Sequence, residues 1–192
     1  SRRALATTGV DWISPAVRRF YPQDELARIL EAPARPAPAA SGAADYDVLV
    51  VGGGPGGSSA ATFLARGGLR VALAEREAFP RFHVGESLLP ANMPVLERLG
   101  VLDEVKSRGF LVKYGAYFHD QDQAHEYQFL FREGKPWPAY TYEVQRADFD
   151  KWLGDGGGGP PNVTLLQPTT LERVAFDDDG VTATVSDAAG SR

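Results

Sequence analysis

The stretch from Tyr46 to Gly57, which reads YDVLVVGGGPGG, constrains the fold more than any other part of the chain. Its first half is a short apolar run rich in β-branched residues, which is typical of a buried strand, and the glycines after it indicate a tight turn. The next residues, SSAATFL, are small and then apolar, and predict a helix. Strand, turn and helix in this order predict the first half of a β-α-β unit.

The glycines of this turn have the spacing of a dinucleotide-binding motif. Gly52, Gly54 and Gly57 fit G-x-G-x-x-G, in which the first glycine permits the turn, the second lets the backbone approach a pyrophosphate, and the third lets helix and strand pack closely. The unpaired N–H groups of the helix N-terminus would favour the anion. A second apolar run, LRVALA, leads into Glu75, about 20 residues after the first glycine, where such units place an acid on a ribose. We therefore predict a dinucleotide site, with an ordinary α/β turn as the alternative.

Composition limits what else the chain could be. Its 192 residues are 43% hydrophobic, which suits one globular domain with appendages. A net charge of -5 and the lack of a basic block give no support for nucleic-acid binding. No apolar run approaches the roughly 18 residues that a membrane span needs. The chain has no cysteine, and its histidines lack metal-ligand spacing, so we expect no metal site and a soluble cytoplasmic protein.

The sequence divides into three parts. We interpret residues 1–32 as an N-terminal extension, which could be the tail of an upstream domain, and residues 33–44 as a Pro/Ala-rich linker. Residues 45–192 form the predicted nucleotide-binding domain, whose helix after the glycines should end near Arg66 before two glycines.

The rest of this domain reads as an α/β fold. Helices are predicted at 91–99, 101–108 and 146–153, and strands at 46–51, 69–74, 111–118, 126–131, 139–144, 163–167, 171–176 and 181–185. The stretch between Glu75 and Pro90 shows neither the helical nor the strand period of apolar residues, and it is predicted to be a long, functional loop. The turn at 187–190 has no strand to feed, so we expect the rest of the domain in a longer chain or a second polypeptide.

Several motifs together resemble one enzyme family. They are DVLVVGxGxxG at 47–57, FPRxHVGESLLP at 79–90, LGV at 99–101, KxGA at 113–116 and VQRADFD at 144–150. This combination resembles the flavin-dependent halogenases, chiefly the branch acting on pyrroles bound to a carrier protein and on phenols, which are related to FAD-dependent monooxygenases. The resemblance implies a Rossmann-like FAD-binding fold, with a parallel sheet, a β-meander and helices, incomplete at the C-terminus.

The resemblance also implies roles for individual residues. Gly52, Gly54, Gly57 and Glu75 would hold the ADP half of FAD, with Arg76 beside the adenine or ribose. The loop from Arg81 to Ser87, including Glu86, would pass near the flavin, and Arg146 would approach the cofactor from a strand–helix junction. The alternatives are surface ion pairs for Arg81 and Arg146 and an ordinary loop carboxylate for Glu86.

Lys113 aligns with the lysine to which these enzymes assign halogen delivery. The implied reaction uses reduced FAD (FADH2) from a separate flavin reductase, oxygen, and chloride or bromide. An electron-rich aromatic substrate, free or bound to a carrier protein, would be halogenated in antibiotic or other secondary metabolism. The alternative for Lys113 is a strand lysine whose stem covers apolar surface while its head reaches water. The rival functions are an FAD monooxygenase or reductase and a non-catalytic nucleotide-binding fragment.

Overall fold

The computed structural model describes residues 45–120, 125–134, 138–155, 162–178, 180–188 and 190–191. The predictions for the extension (1–32) and the linker (33–44) lie outside these residues. The strands are β1 (Val48–Val51), β2 (Val71–Ala74), β3 (Leu111–Lys113), β4 (Gly115–Asp120), β5 (His125–Leu130), β6 (Thr141–Glu143), β7 (Val163–Leu166), β8 (Thr170–Phe176), β9 (Val181–Asp187) and β10 (Gly190–Ser191). The α-helices are α1 (Pro55–Arg66), α2 (Asn92–Arg98), α3 (Leu102–Ser107) and α4 (Arg146–Gly154).

A parallel sheet of order β1-β2-β7 carries the glycine turn at its edge, as predicted. The central strand β2 is buried along its whole length because it has a neighbour on each side and α1 over one face. Ala61 and Ala65 of α1 pack on Val71 and Leu73 of β2 in a small core. Small residues on α1 let the helix lie close to the sheet, which places its N-terminus directly after β1.

A second core lies around α4 and does not include the parallel sheet. It is formed by buried side chains of the loop after β2, of the two short helices and their junction, of β6 and the residue after it, and of α4: Leu88, Met93, Leu96, Leu99, Val101, Val105, Tyr142, Val144, Phe149, Trp152 and Leu153. Phe149, Trp152 and Leu153 therefore lie on the buried face of α4. Arg66 at the end of α1 joins the two cores, since its guanidinium donates to the carbonyls of Arg98 (3.0 Å) and Leu99 (2.7 Å).

The loop after β2 is longer than ordinary connections, as predicted, but part of it pairs with β6. Leu88 donates its N–H to the carbonyl of Tyr142 (3.0 Å), Val144 donates to the carbonyl of Glu86 (2.8 Å), and Ser87 lies opposite Glu143. On its other side β6 pairs antiparallel with β3. The loop and β3 are therefore held on opposite sides of the same strand.

Three predictions for the strands were wrong in kind, and not only by a shift of one or two residues at a strand end. The predicted strand 111–118 is broken at Tyr114, whose carbonyl accepts from the N–H of Phe131 (2.8 Å), so β3 and β4 join different sheets. Phe131 ends no strand; it opens a 3-10 helix, Phe131–Glu133. The turn at 187–190 does feed a strand, the short β10, which pairs antiparallel with β9. No helix within the described ranges is long and apolar enough to cross a bilayer.

Candidate functional site

The glycine turn has the geometry that its spacing predicted. Gly52 has φ +101°, a conformation that L side chains rarely adopt. A Cβ added to Gly57 would lie 1.9 Å from the carbonyl oxygen of Gly52, so only glycine permits this close packing. Gly54 is the N-cap of α1 and has no side-chain cap, Pro55 opens the helix, and the first turn has no acidic residue. The N-terminus of α1 therefore remains suited to an anion.

Glu75 follows β2 and turns back to the glycines. Its side chain is buried, and Oε2 accepts from the N–H of Gly53 (2.8 Å) and from Arg81 Nη2 (3.3 Å), while Oε1 accepts from the N–H of Glu77 (3.2 Å). Burial alone would raise the pKa of Glu75, but these hydrogen bonds and the charge of Arg81 outweigh it and lower the pKa. The acid thus lies at the turn, and one of its oxygens already braces the turn itself.

Arg81 and Arg146 meet on one carboxylate, that of Asp150. Arg81 Nη1 donates to Asp150 Oδ2 (2.9 Å), and Arg146 donates through Nε to Oδ1 and through Nη2 to Oδ2, both at 2.8 Å. Asp150 is 0% exposed, and both arginines are buried. The alternative of surface ion pairs for the two arginines is therefore wrong. Burial would lower the pKa of Arg81, but Glu75 and Asp150 raise it.

The two guanidinium groups border the middle of the glycine turn. A Cβ added to Gly54 would lie 3.5 Å from Arg146 Nη2 and 3.8 Å from Arg81 Nη2. Arg146 Nη1 also donates to the carbonyls of Val84 (3.3 Å) and Gly85 (3.2 Å). Helix α4, the loop after β2 and the turn after β1 thus place two cations where the second glycine of the motif brings a pyrophosphate close to the backbone.

Other predicted cofactor residues lie outside this buried group. Arg76 is exposed and pairs with Glu77 (3.4 Å). Glu86 is exposed, and its carboxylate has no hydrogen bond or ion pair within the part of the chain that the structure describes. Its backbone carbonyl, which pairs with Val144, is what fixes the loop. The roles predicted for Arg76, beside the adenine or ribose, and for Glu86, near the flavin, therefore stay predictions.

Ser87 instead lies with the predicted catalytic residue, Lys113. Lys113 Nζ donates to Ser87 Oγ and lies 5.8 Å from the centroid of the Phe131 ring. Thr141 is opposite Lys113 in the β3–β6 pair, and side chains of opposite residues share a face of the sheet. The Thr141 hydroxyl is buried without a hydrogen-bond partner among the described residues. Lys113 itself is half-buried, so its amine is reachable from solvent.

Sequence reasoning missed Asp150 and Phe79. Asp150 stood inside the VQRADFD motif, and its i, i+4 spacing from Arg146 was the available signal for an ion pair on one helix. The Phe79 ring packs beside Gly53, where an added Cβ would come within 2.9 Å of it, and the Arg81 guanidinium lies 5.3 Å from the ring centroid. No local pattern indicates this packing.

The residues present fit the diphosphate of a dinucleotide. The uncapped helix N-terminus, the open space at Gly56, where a Cβ would meet nothing within 4 Å, and the guanidiniums beside Gly54 form a cradle for an anion. The residues that would hold the diphosphate are Gly52, Gly54, Gly57, Arg81 and Arg146, with Glu75 next to them.

Comparison with known proteins gives the same result. The family model of the FAD binding domain matches residues 45–192. The chain is 37% identical over 131 residues to a 1H-pyrrole-2-carbonyl-[peptidyl-carrier protein] chlorinase of Pseudomonas fluorescens, covering 59% of this chain and 29% of that protein. It is 43% identical over 132 residues to a tryptophan 2-halogenase of Chondromyces crocatus, covering 69% of this chain and 24% of that protein.

Among solved structures, the myxobacterial chondrochloren halogenase CndH superposes with a TM-score of 0.65 at 37% identity, over 76% of this chain and 34% of that one. The chain thus spans about a quarter to a third of the length of these relatives. The Rossmann-like α/β fold and FAD as the cofactor type are both confirmed. The chain belongs to the FAD binding domain family, and the resemblance of its motifs to flavin-dependent halogenases is confirmed.

Proposed function

We propose that this chain supplies the nucleotide-binding part and the reactive lysine of an FAD-dependent halogenase. The observation that carries the proposal is the contact between Lys113 Nζ and Ser87 Oγ. It joins the loop that follows Glu75 and Arg81 to the strand that carries the lysine, so the amine lies beside that loop.

The reaction replaces one hydrogen of an aromatic ring by a halogen. When bound, reduced FAD would give two electrons to oxygen, which takes two more from chloride or bromide; the halide becomes an electrophilic halogen species, and both oxygen atoms end as water. The protein must then keep this species away from bulk water and bring it to the substrate ring. Lys113 has the chemistry for that role, because an amine can hold an electrophilic halogen by a hydrogen bond or by N–halogen bond formation.

The surroundings of Lys113 favour this role over that of a purely structural lysine. Its amine donates to the Ser87 hydroxyl, which carries no charge, so this contact is a hydrogen bond and not an ion pair. Phe131 lies beside it, and the hydroxyl of Thr141 is buried on the same face of the sheet without a partner among the described residues. An aromatic ring and the Ser87 hydroxyl beside an amine provide contacts for a substrate ring and for a polar reactant.

The substrate class follows from the relatives. One acts on a pyrrole carried by a peptidyl carrier protein, and one is a tryptophan halogenase. Both rings are electron-rich, as attack on an electrophilic halogen requires. We therefore propose an electron-rich aromatic substrate, free or bound to a carrier protein, and a separate reductase that supplies reduced flavin.

Substitution of the lysine tests the proposal in the complete enzyme. Lys113→Ala should retain FAD and consume oxygen but lose brominated product, measured by mass spectrometry with and without bromide. Lys106→Ala is the matched control, since Lys106 is a lysine on α3 paired with Asp103 at 2.9 Å. Unchanged product from Lys113→Ala would exclude the role of the lysine. A hydroxylated product that the unmodified enzyme forms equally with and without bromide would identify a monooxygenase instead.

A further inference from the structure

We infer that Asp150 is a positioning residue for diphosphate binding: its buried carboxylate holds the guanidinium groups of Arg81 and Arg146 at the glycine turn. The inference rests on the FAD site of the proposed function and adds a residue to it. Asp150 itself would not touch the cofactor. It would act through the two arginines, which come from the loop after β2 and from the start of α4.

The hydrogen bonds leave each arginine little freedom. Arg146 grips Asp150 with two nitrogens, Nε and Nη2, while its Nη1 donates to the carbonyls of Val84 and Gly85. Arg81 uses Nη1 for Asp150 and Nη2 for Glu75. A planar guanidinium held at two points has a fixed orientation, so its remaining N–H groups have fixed directions.

In both arginines the nitrogen nearest to Gly54 is Nη2, which lies 3.5 Å (Arg146) and 3.8 Å (Arg81) from the position of a Cβ added to Gly54. Asp150 is therefore the element that brings two separate side chains to one point of the turn. Glu75 restrains only Arg81, and the backbone carbonyls of the loop restrain only Arg146. Removing Asp150 would leave no group within the described residues that contacts both guanidiniums.

Asp150 could act by neutralising the arginines or by positioning them, and these two roles predict opposite effects of its loss on anion binding. Glu75 and Asp150 balance Arg81 and Arg146, so the group as a whole is neutral. Replacing the Asp150 carboxylate by an amide adds one net positive charge beside the turn. If Asp150 served only to neutralise the arginines, the variant would bind an anion more tightly. If Asp150 positions them, the variant would bind a diphosphate more weakly in spite of the added charge.

The test is calorimetric titration of the complete protein, freed of cofactor, with ADP and with adenosine. Asp150→Asn should weaken ADP binding by about tenfold or more, which is the effect of losing one hydrogen bond between a guanidinium and the diphosphate. Adenosine, which has no phosphate, should bind as it does to the unmodified protein. Asp148→Asn is the control for charge, because this exposed aspartate lies on the same helix. ADP binding that is unchanged or tighter in Asp150→Asn would overturn the inference.

A second variant covers the case in which Asp150→Asn does not fold. Arg146→Lys keeps the net charge and the acidic partner but cannot grip the carboxylate with two nitrogens. We expect a similar loss of ADP affinity with adenosine unaffected, and full ADP affinity in this variant would also overturn the inference. The titration measures nucleotide binding alone, so a failure to detect halogenated product would refute the proposed function without changing this result.

Discussion

The close packing of Gly57 against Gly52 gives a prediction whose size follows from one distance. In Gly57→Ala the new Cβ would lie 1.9 Å from the carbonyl oxygen of Gly52, whereas ordinary contacts begin at 3.4 Å. Backbone atoms must therefore move by about 1.5 Å at the start of α1. Overpacking costs about 1–3 kcal/mol in typical cores, and we expect the upper end because a carbonyl, not a flexible side chain, is struck.

The neighbouring glycine provides a matched control. A Cβ at Gly56 meets nothing within 4 Å, and the residue lies in the first turn of α1. Gly56→Ala should therefore leave stability unchanged or raise it by about 0.5–1 kcal/mol, as is usual for this substitution in a helix.

Thermal unfolding at neutral pH, followed by circular dichroism, measures both variants. For Gly57→Ala we expect a melting temperature lower by about 6–12 °C, from about 2–4 °C per kcal/mol for a domain of this size. The displaced turn should also weaken FAD binding, because the N–H groups at the start of α1 would no longer face the diphosphate. If Gly57→Ala were as stable as Gly56→Ala, the packing of strand, turn and helix described above would be incorrect.

Two further predictions concern single side chains. The pKa of Glu75 is lowered below its ordinary value of 4.5, so its contribution to stability is complete above pH 4.5 and is lost as the pH falls below that value. Glu75→Gln should therefore reduce the loss of the free energy of unfolding between pH 3 and 5, measured by urea unfolding. An equal change of this free energy with pH in both proteins would contradict the prediction. Arg66→Met should lower the free energy of unfolding by about 1–2 kcal/mol, because it removes two hydrogen bonds to the C-terminal carbonyls of α2 while keeping an apolar stem. An unchanged free energy of unfolding would show that water replaces the guanidinium.

Local features of the nucleotide unit could be predicted from the sequence. The strand β1, the turn, α1 and the position of Glu75 depend on neighbours in the chain, and the glycines there are required by backbone geometry. The hairpin turn between β8 and β9 also depends on residues close in the sequence, since the Asp177 side chain accepts from the N–H of Gly180 (2.9 Å).

Contacts between distant residues could not be predicted in this way. Arg81 and Arg146 were recognised by resemblance alone. The i, i+4 spacing could indicate the pair of Arg146 with Asp150, but nothing in the local sequence shows that Arg81 joins it. The break at Tyr114 has a similar cause: a Cβ at the next residue, Gly115, would lie 2.3 Å from the carbonyl of Phe129, so the chain changes partner there. An apolar run gives no sign of such a change.

Helix α4 has a double role that links ligand binding to the interior of the molecule. One face begins with Arg146 and Asp150 at the turn, and the other places Phe149, Trp152 and Leu153 in the larger core. A nucleotide held by Arg146 would therefore stabilise the helix that anchors this core. Amide protons along α4 should then exchange more slowly when the nucleotide is bound, and substitutions of Trp152 should alter affinity without contacting the ligand.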